Sequence, residues 1–246
     1  MQIETKRLLS MVAKVAFLIP QNNVTTALNG LFLEVDSSGV KMTATDGHCL
    51  AQISSSEYSL EEPKQWLIPR RAIFEIKKLL ESNISDYTFV GVCNNQLVFS
   101  SETFNFFTKL LADKFPQYET ILTKEAFVPA RLNRADFVKT LRRSSCLLSG
   151  QFLATQFSFE KDRLKVSLKN TDVGNLEEEL MLADYDIDPL EMRFYSPYLL
   201  NGLQAFNEDS ITCFLKNKTR PIIFESAENQ ESFVYLVMPV SASHGA

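Results

Sequence analysis

The segment Thr43–Ala51, TATDGHCLA, places an acid, a glycine, a histidine and a cysteine in consecutive positions. Asp46 and His48 are two residues apart, so on a strand both side chains could face one side, as a general base and its partner would. The chain has one further histidine, His244, and no G-x-S-x-G, Walker or H-E-x-x-H pattern accompanies the segment. A turn built on Asp46 and Gly47 at a strand end is the competing interpretation.

The composition argues against several other kinds of chemistry. No C-x-x-C pair occurs, which indicates reduced, mostly buried thiols in a cytoplasmic protein at Cys49, Cys93, Cys146 and Cys213. No window holds the ~20 apolar residues of a membrane span, and the start MQIETKRLL lacks the pattern of a secretory signal. We therefore expect no metal, no cofactor, no catalytic residue and no membrane partner.

Four segments have the apolar spacing of amphipathic helices. The first is Thr5–Phe17, and the second is Pro69–Glu81, where the proline suits a helix start. The third, Asn133–Leu148, opens on an asparagine suited to an N-cap. The fourth is Ser196–Phe206, in which a serine again precedes a proline.

Alternating apolar and polar residues around short polar turns predict β-hairpins between these helices. The four hairpin segments are LFLEVDSSGVKMTA, DYTFVGVCNNQLVFSS, QFSFEKDRLKVSLKN and SITCFLKNKTRPIIFES. Two apolar runs, FNFFTKLL and SFVYLVMPV, are typical of buried strands.

The two halves of the chain share one order: helix, hairpin, helix, hairpin, strand. The spacing is close to 126 residues, so that Leu110 corresponds to Leu236. This pattern predicts a tandem duplication of a domain of roughly 120 residues, with one copy in 1–123 and the other in 124–246. Antiparallel hairpins with two helices per unit indicate the α+β class, with the helices on one face of the sheet.

The charge is distributed unevenly along the chain. The whole protein has a formal charge of −5, but the first three helical segments carry +8, which leaves −13 for the rest. One interpretation is that helices commonly present Lys and Arg on a solvated face. The other is a basic helical surface on an acidic body, which would contact phosphates without reading bases. The pattern alone leaves both open.

Together with the duplication, five segments resemble the bacterial DNA polymerase III beta subunit, the sliding-clamp family. The segments are ALNGLFLEV (27–35), TATDGHCLA (43–51), IPRRAIFEIKKLL (68–80), KLLADKFPQYETIL (109–122) and YLVMPV (235–240). They follow the family's order and correspond to its second and third domains, and the first domain is absent.

The resemblance implies an architecture and a set of partners. The family forms a closed ring of six α+β clamp domains, with antiparallel sheets outside and helices lining the bore. The helices face duplex DNA and contact it without sequence preference. A two-domain chain would need three copies, so the expected assembly is a homotrimer. Expected partners are replicative and repair polymerases and the clamp loader. The protein would be a non-catalytic processivity factor in the bacterial cytoplasm, associated with the nucleoid.

The resemblance also implies a hydrophobic pocket that captures a short partner peptide across the domain seam. Its first subsite would use Leu28, Thr45, Gly47, His48, Leu50, Pro116, Ile121, Leu236 and Met238. Its second subsite would use Phe152, Tyr198, Pro221, Met238 and Val240. Cys49 and Thr120 depart from the family, where arginine is common at both positions. A tail, Ser241–Ala246, runs past the usual end of family members.

For DNA, Arg70 and Arg71 match the family's basic pair at the start of a helix that lines the bore. Nine further cations are candidates by charge and placement only: Lys6, Arg7, Lys14, Lys77, Lys78, Arg134, Lys139, Arg142 and Arg143. Because a helix has two sides, about half of them should face the bore.

Two alternatives stay open at this point. A short clamp could bind partner peptides without forming a ring and act as a competitor or regulator. A hydrolase centred on Asp46 and His48 is the enzyme alternative.

Overall fold

The computed structural model describes residues 1–148, 154–228 and 230–240. The chain divides into two compact units. Unit 1 contains Met1–Gln117 and Ala227–Val234, and unit 2 contains Tyr118–Ser226 and the chain from Tyr235 onward. Across the described ranges, no helix has the length and apolar character needed to cross a membrane.

Unit 1 begins with a strand and a helix, continues with four strands and a second helix, and closes with three strands. These are β1 (Gln2–Glu4), α1 (Thr5–Ala16), β2 (Gly30–Asp36), β3 (Gly39–Thr45), β4 (Cys49–Ser55), β5 (Lys64–Pro69), α2 (Arg70–Ser82), β6 (Tyr87–Cys93), β7 (Gln96–Ser100) and β8 (Asn105–Thr108).

The second half of the chain opens with a one-turn helix, α3 (Glu119–Leu122), and then repeats the same order. Its elements are β9 (Val128–Asn133), α4 (Arg134–Cys146), β10 (Thr155–Glu160), β11 (Arg163–Asn170), β12 (Gly174–Ala183), β13 (Leu190–Phe194), α5 (Ser196–Leu203), β14 (Ser210–Leu215), β15 (Ile222–Glu228) and β16 (Glu231–Val237). The predicted duplication is therefore present element by element.

All of the sheets are antiparallel where their registers are defined. In unit 1 one sheet has the order β1-β6-β7-β8, and a second has the order β5-β2-β3-β4, with the start of β16 beside β4. In unit 2 the order is β13-β10-β11-β12-β9-β14-β15. In each unit the two long helices pack against one another and onto strands. The fold is thus α+β, as predicted.

The helices form where the periodicity predicts them, because each buries one apolar stripe. In α1 the buried residues include Leu8, Met11, Val12 and Val15. The same spacing of buried residues recurs in α4 at Phe137, Thr140, Leu141 and Ser144, 129 positions later. At the start of α4 the side chain of Asn133 accepts a hydrogen bond from the N–H of Asp136 (3.0 Å), which confirms the predicted N-cap.

The predicted hairpins are β2–β3, β6–β7, β10–β11 and β14–β15, and all four are confirmed. The turn of β6–β7 has positive φ at Asn94 (48°) and Asn95 (64°), as a tight two-residue turn requires. The pattern missed β1, β4, β5, β9, β12 and β13. Most residues of β4 are buried and its apolar residues do not alternate, and three consecutive glutamates interrupt β12. The sequence of neither strand therefore alternates between apolar and polar residues, which is the signal that predicts a half-buried strand.

Candidate functional site

The carboxylate of Asp46 holds the turn between β3 and β4. Its Oδ1 accepts hydrogen bonds from the backbone N–H groups of His48 (2.8 Å) and Cys49 (2.7 Å). The Thr45 hydroxyl donates to the carbonyl of Cys49 (2.6 Å) and accepts from the N–H of Gly47 (3.1 Å). Gly47 has a φ of 95°, which side-chain-bearing residues rarely adopt. These bonds support the turn interpretation of TDGH over the catalytic one.

A neighbouring loop places Leu28 beside this turn. Asn29 accepts from the N–H of Asn23 (2.7 Å) and its side-chain amide donates to the carbonyl of Asn23 (2.9 Å). The side-chain amide of Asn23 in turn donates to the carbonyl of Asp46 (3.4 Å). A methyl group added to Gly47 would lie 3.9 Å from Cδ1 of Leu28. The structure therefore brings Leu28 and Gly47 together within unit 1.

The side chains of this turn differ in how far they reach solvent. His48 is exposed, Thr45 is partly exposed, and Leu50 is 4% exposed at the start of β4. The side chain of Cys49 is fully buried, so the thiol contributes nothing to the surface at this position. Thr120, the other departure from the family, is exposed on α3.

Pro116 is exposed in the segment that follows β8. The ring of its neighbour Phe115 stacks on Phe32 of β2, with centroids 4.8 Å apart and planes 11° apart. The N–H of Leu111 donates to the carbonyl of Leu67 (2.9 Å), which joins the same segment to β5. Unit 1 thus holds the segment that carries Pro116 firmly against its sheet.

In unit 2, the end of β16 packs on helix α5 through Tyr235. The phenol is fully buried, and its hydroxyl donates to the carbonyl of Tyr198 (2.7 Å). Tyr198 also meets Tyr195 edge to face, with ring centroids 5.1 Å apart. Leu236, the next residue of β16, is 2% exposed. Tyr198 and the end of β16 are therefore linked by a direct hydrogen bond.

The residues after β16 line a groove of about 490 Å³. Met238 and Val240 are partly exposed, and the N–H of Val240 donates to the carbonyl of Arg193 (2.8 Å). Val240 lines this groove together with Pro239, Met192, Gln156, Glu191, Arg193, Lys218 and Thr219. The sequence prediction missed Arg193 and Lys218. The only signal was a pair of cations beside strand ends, which by itself is common on any surface.

The remaining predicted pocket residues are dispersed. Ile121 is partly exposed on α3, and Pro221 is buried immediately before β15. Phe152 lies outside the described residues, as does the tail 241–246. Within unit 1 the structure describes Leu28, Gly47 and Pro116, and within unit 2 it describes Tyr198, Pro221 and Met238.

Ten of the eleven predicted DNA-binding cations fall into three groups, of which the first is anchored to the protein. Arg70 donates from Nε to the carbonyl of Ile19 (3.0 Å), and its guanidinium lies 4.3 Å from the ring centre of Phe74. Arg134 donates from Nε to the carbonyl of Glu208 (2.7 Å). In both residues the remaining N–H groups can still reach an anion.

The second group is paired with carboxylates. Arg7 bridges Glu57 (3.0 Å) and Glu231 (2.9 Å), and the hydrogen bond with Glu231 raises the pKa of its guanidinium. Arg143 binds Glu178 with two N–H groups, which raises the pKa of Arg143 and lowers that of the Glu178 carboxyl. Shorter-range pairs within one helix hold Lys77 to Glu81, Lys78 to Glu75 and Lys139 to Asp136.

The third group comprises exposed cations without a carboxylate partner in the described part of the chain. Lys6, Arg71 and Arg142 are all exposed, and no ion pair forms with any of them there. Lys14, which is half-buried, instead places its ammonium 5.5 Å from the ring centre of Phe233. The three exposed cations lie on α1, α2 and α4.

The four cysteines are free thiols, and two of them, Cys93 and Cys146, are exposed rather than buried as predicted. Both lie at the ends of elements, where a short segment has few covering neighbours. Burial raises the pKa of the Cys213 thiol to about 12. Among residues 1–148, 154–228 and 230–240, no three side chains of His, Cys, Asp or Glu cluster as metal ligands would.

A duplicated unit of antiparallel sheets with two packed helices is the fold of DNA clamps. A DNA polymerase III beta subunit from Thermotoga maritima superposes with a TM-score of 0.91 at 20% identity, covering 98% of this chain and 65% of that one. The family model of the DNA polymerase III beta subunit, central domain, matches residues 2–117, and the model of its C-terminal domain matches 119–241. The chain belongs to the DNA polymerase III beta subunit family.

Individual relatives agree with this assignment. The beta sliding clamp of Pseudomonas putida is 27% identical over 239 residues, which is 97% of this chain and 64% of that protein. A sliding clamp from Bartonella birtlesii, solved bound to griselimycin, has a TM-score of 0.87 at 27% identity, covering 98% of this chain and 66% of that one. The chain thus spans about two thirds of the length of its relatives.

Proposed function

We propose that this protein is a DNA sliding clamp, a non-catalytic processivity factor that encircles duplex DNA and tethers polymerases to it. The observation that carries the proposal is the match of two successive clamp domains, 2–117 and 119–241, along nearly the whole chain. We propose functional domains 1–123 and 124–246. The separation of charge supports the same function, since three basic helices lie in a protein of net charge −5.

The proposed ring contains six domains from three copies of the chain. A head-to-tail contact generates a closed ring when its rotation returns to the starting copy. With two domains per chain, three copies give the six that the family architecture implies. The homotrimer therefore follows from domain number and closure together.

The proposed DNA contact is electrostatic and independent of sequence. Lys6, Arg71 and Arg142 are exposed and lack carboxylate partners in the described residues, so they can bind phosphates without first breaking an ion pair. Arg7 and Arg143 must give up carboxylates first. We therefore expect the three unpaired cations to contribute more to DNA affinity than the cations paired with carboxylates.

The proposed partner site binds a short apolar peptide through the residues that the family resemblance implies. They are Leu28, Thr45, Gly47, His48, Leu50, Pro116, Ile121, Phe152, Tyr198, Pro221, Leu236, Met238 and Val240. The partly exposed Met238 supports this role, because its flexible thioether can pack on different ligands. Clamp loader, replicative polymerase and repair polymerases are the expected sources of the peptide.

DNA encirclement is tested by retention on plasmid. The protein is loaded by a clamp loader onto nicked circular DNA, and half of the sample is linearised before gel filtration. We expect co-elution with the circle and loss from the linear form. The triple variant Lys6→Ala/Arg71→Ala/Arg142→Ala should weaken retention more than Arg7→Ala/Lys139→Ala/Arg143→Ala. Equal retention on circular and linear DNA would refute encirclement.

Partner binding is tested with griselimycin, the ligand of the Bartonella birtlesii clamp, in a titration calorimeter. Met238→Glu should abolish binding, because it places a charge in an apolar contact. Val24→Glu is the matched control, since Val24 is fully exposed and lies in a loop of unit 1. Unchanged affinity in Met238→Glu would exclude this residue from the site. A monomer that binds griselimycin but is never retained on circles would indicate the non-ring competitor.

A further inference from the structure

The groove of about 490 Å³ that borders Val240 lies within unit 2. Three consecutive residues of β13 line it: Glu191, Met192 and Arg193. The segment after β16 is fixed beside this strand, because the N–H of Val240 donates to the carbonyl of Arg193 (2.8 Å). Val240 belongs both to the groove and to the proposed partner site, in which Met238 lies two residues earlier. The groove is therefore continuous with that site.

Two cations that line the groove have no carboxylate partner among the described residues. Arg193 and Lys218 are exposed, and neither forms an ion pair or a side-chain hydrogen bond there. Other cations of unit 2 are engaged: Lys216 donates to a backbone carbonyl (3.0 Å), and Lys165 binds Glu160 (2.9 Å). Positive charge is therefore left available in this groove for a ligand.

The backbone that carries each of these cations is fixed. In the loop of Lys218, Oδ1 of Asn217 accepts hydrogen bonds from the N–H groups of Thr219 (3.0 Å) and Arg220 (3.0 Å), and from the Thr219 hydroxyl (2.9 Å). Arg193 lies in β13, which pairs along its length with β10. A ligand that binds both side chains therefore has to order little of the protein backbone.

The charge of the groove differs in sign from the charge of the chain. Among the described residues that line the groove, Glu191 is the one carboxylate, and it lies two positions before Arg193 on the same face of β13. With Arg193 and Lys218, the lining residues have a formal charge of +1 in a chain of −5. A local excess of positive charge on an acidic protein favours an anionic ligand at this place.

From these observations we infer that the groove binds acidic residues that flank the apolar core of a partner peptide. The core packs on Met238 and Val240, and an aspartate or glutamate beyond it reaches Arg193 and Lys218. Arginine holds a carboxylate with two parallel N–H groups, and lysine adds a point charge. A nucleic-acid backbone fits less well, because its successive phosphates would also meet Glu191. This inference deepens the proposed partner site and rests on it.

Fluorescence anisotropy with three synthetic peptides tests the inference. Each peptide has the apolar core Leu-Ser-Leu-Phe, flanked on both sides by Asp-Asp, Ser-Ser or Lys-Lys. We expect the Asp-flanked peptide to bind the wild-type protein roughly three- to tenfold more tightly than the Ser-flanked one, since each exposed ion pair contributes modestly. General attraction to the chain would give the opposite order, because its net charge is −5.

Three variants assign the preference to the groove. Arg193→Ala/Lys218→Ala should remove the preference for the Asp-flanked peptide and leave the affinity for the Ser-flanked peptide unchanged. Lys161→Ala/Arg163→Ala is the matched control, since both cations are exposed in unit 2 and pair with carboxylates outside the groove. Arg193→Lys should keep part of the preference, because the charge stays while the two-pronged contact is lost. Equal preferences in the groove variant and the control would overturn the assignment.

The outcomes separate this inference from the partner site itself. If all three peptides bind equally and Met238→Glu abolishes binding of each, the partner site stands and the charged groove is wrong. Tighter binding of the Lys-flanked peptide would also overturn the inference. Displacement of the Asp-flanked peptide by single-stranded DNA would assign the groove to phosphates instead. If the wild type binds none of the peptides, the partner site and the groove fall together.

Discussion

Replacing Gly202 by alanine is expected to destabilise unit 2, because the new methyl group has no space. Its carbon would lie 1.9 Å from Cε1 and 2.1 Å from Cδ1 of the Tyr235 ring. The ring is fully buried, and its hydroxyl bond to Tyr198 (2.7 Å) prevents it from swinging aside without losing a hydrogen bond. The strain therefore falls on the contact between α5 and β16.

The expected magnitude follows from three opposing terms. Overpacking of this kind costs roughly 1–3 kcal/mol. Loss of the Tyr235 hydrogen bond adds about 1 kcal/mol. The better helix propensity of alanine stabilises the folded state by about 1 kcal/mol. The free energy of unfolding should therefore fall by about 2 kcal/mol in Gly202→Ala.

The assay is urea denaturation followed by far-UV circular dichroism. Gly91→Ala is the matched control, because no atom lies within 4 Å of a Cβ added at that position in β6. Its midpoint should stay close to that of the wild type. In the double variant Gly202→Ala/Tyr235→Ala the clash is absent. Tyr235→Ala should therefore lower the free energy of unfolding by less in the Gly202→Ala background than in the wild type. A Gly202→Ala midpoint equal to that of Gly91→Ala would refute the close packing of the Tyr235 ring on Gly202.

Three further predictions concern single contacts. Asp46→Ala removes two backbone hydrogen bonds of the β3–β4 turn, so it should lower the free energy of unfolding by about 2 kcal/mol and weaken griselimycin binding. Asp46→Asn keeps an acceptor oxygen, so both of its effects should be smaller. Equal effects in the two variants would contradict the role of Asp46 in the turn. The hydrogen bond from Arg143 lowers the pKa of Glu178, so the contribution of this carboxylate to stability is present above the unfolded pKa and is lost as pH falls through the folded pKa. The melting temperatures of wild type and Glu178→Gln should therefore differ at pH 7 and approach one another as the pH falls through the folded pKa. A difference that stays constant with pH would exclude this linkage. Burial raises the pKa of the Cys213 thiol to about 12. A thiol reagent at pH 8 should therefore modify the exposed Cys93 and Cys146 quickly and Cys213 only on unfolding. Rapid modification of Cys213 in the folded protein would contradict its burial.

Helices and hairpins could be predicted from the sequence because their signals are local. The apolar spacing of α1 and α4 and the side-chain cap at Asn133 involve residues a few positions apart, and so does the tight turn at Asn94 and Asn95. Strands such as β4 and β12 were missed because their residues do not alternate between apolar and polar, although each strand pairs with the preceding one across a short turn. The family resemblance supplied the site residues, and no local pattern distinguished them from ordinary core residues.

The duplication, the helices, the four hairpins and the concentration of positive charge on three helices are all predictable from residue order alone. The folded chain was needed to show that Asp46 binds backbone N–H groups, and that Arg7 and Arg143 hold carboxylates while Arg71 is exposed. It also separated Phe107, which is 52% exposed, from Phe233, which lies 126 residues later at the repeat spacing and is 2% exposed. The physical reason is that burial and pairing depend on which distant segment lies alongside a residue. Two residues of the same type at equivalent positions of a repeat therefore differ wherever one has a neighbouring strand and the other does not.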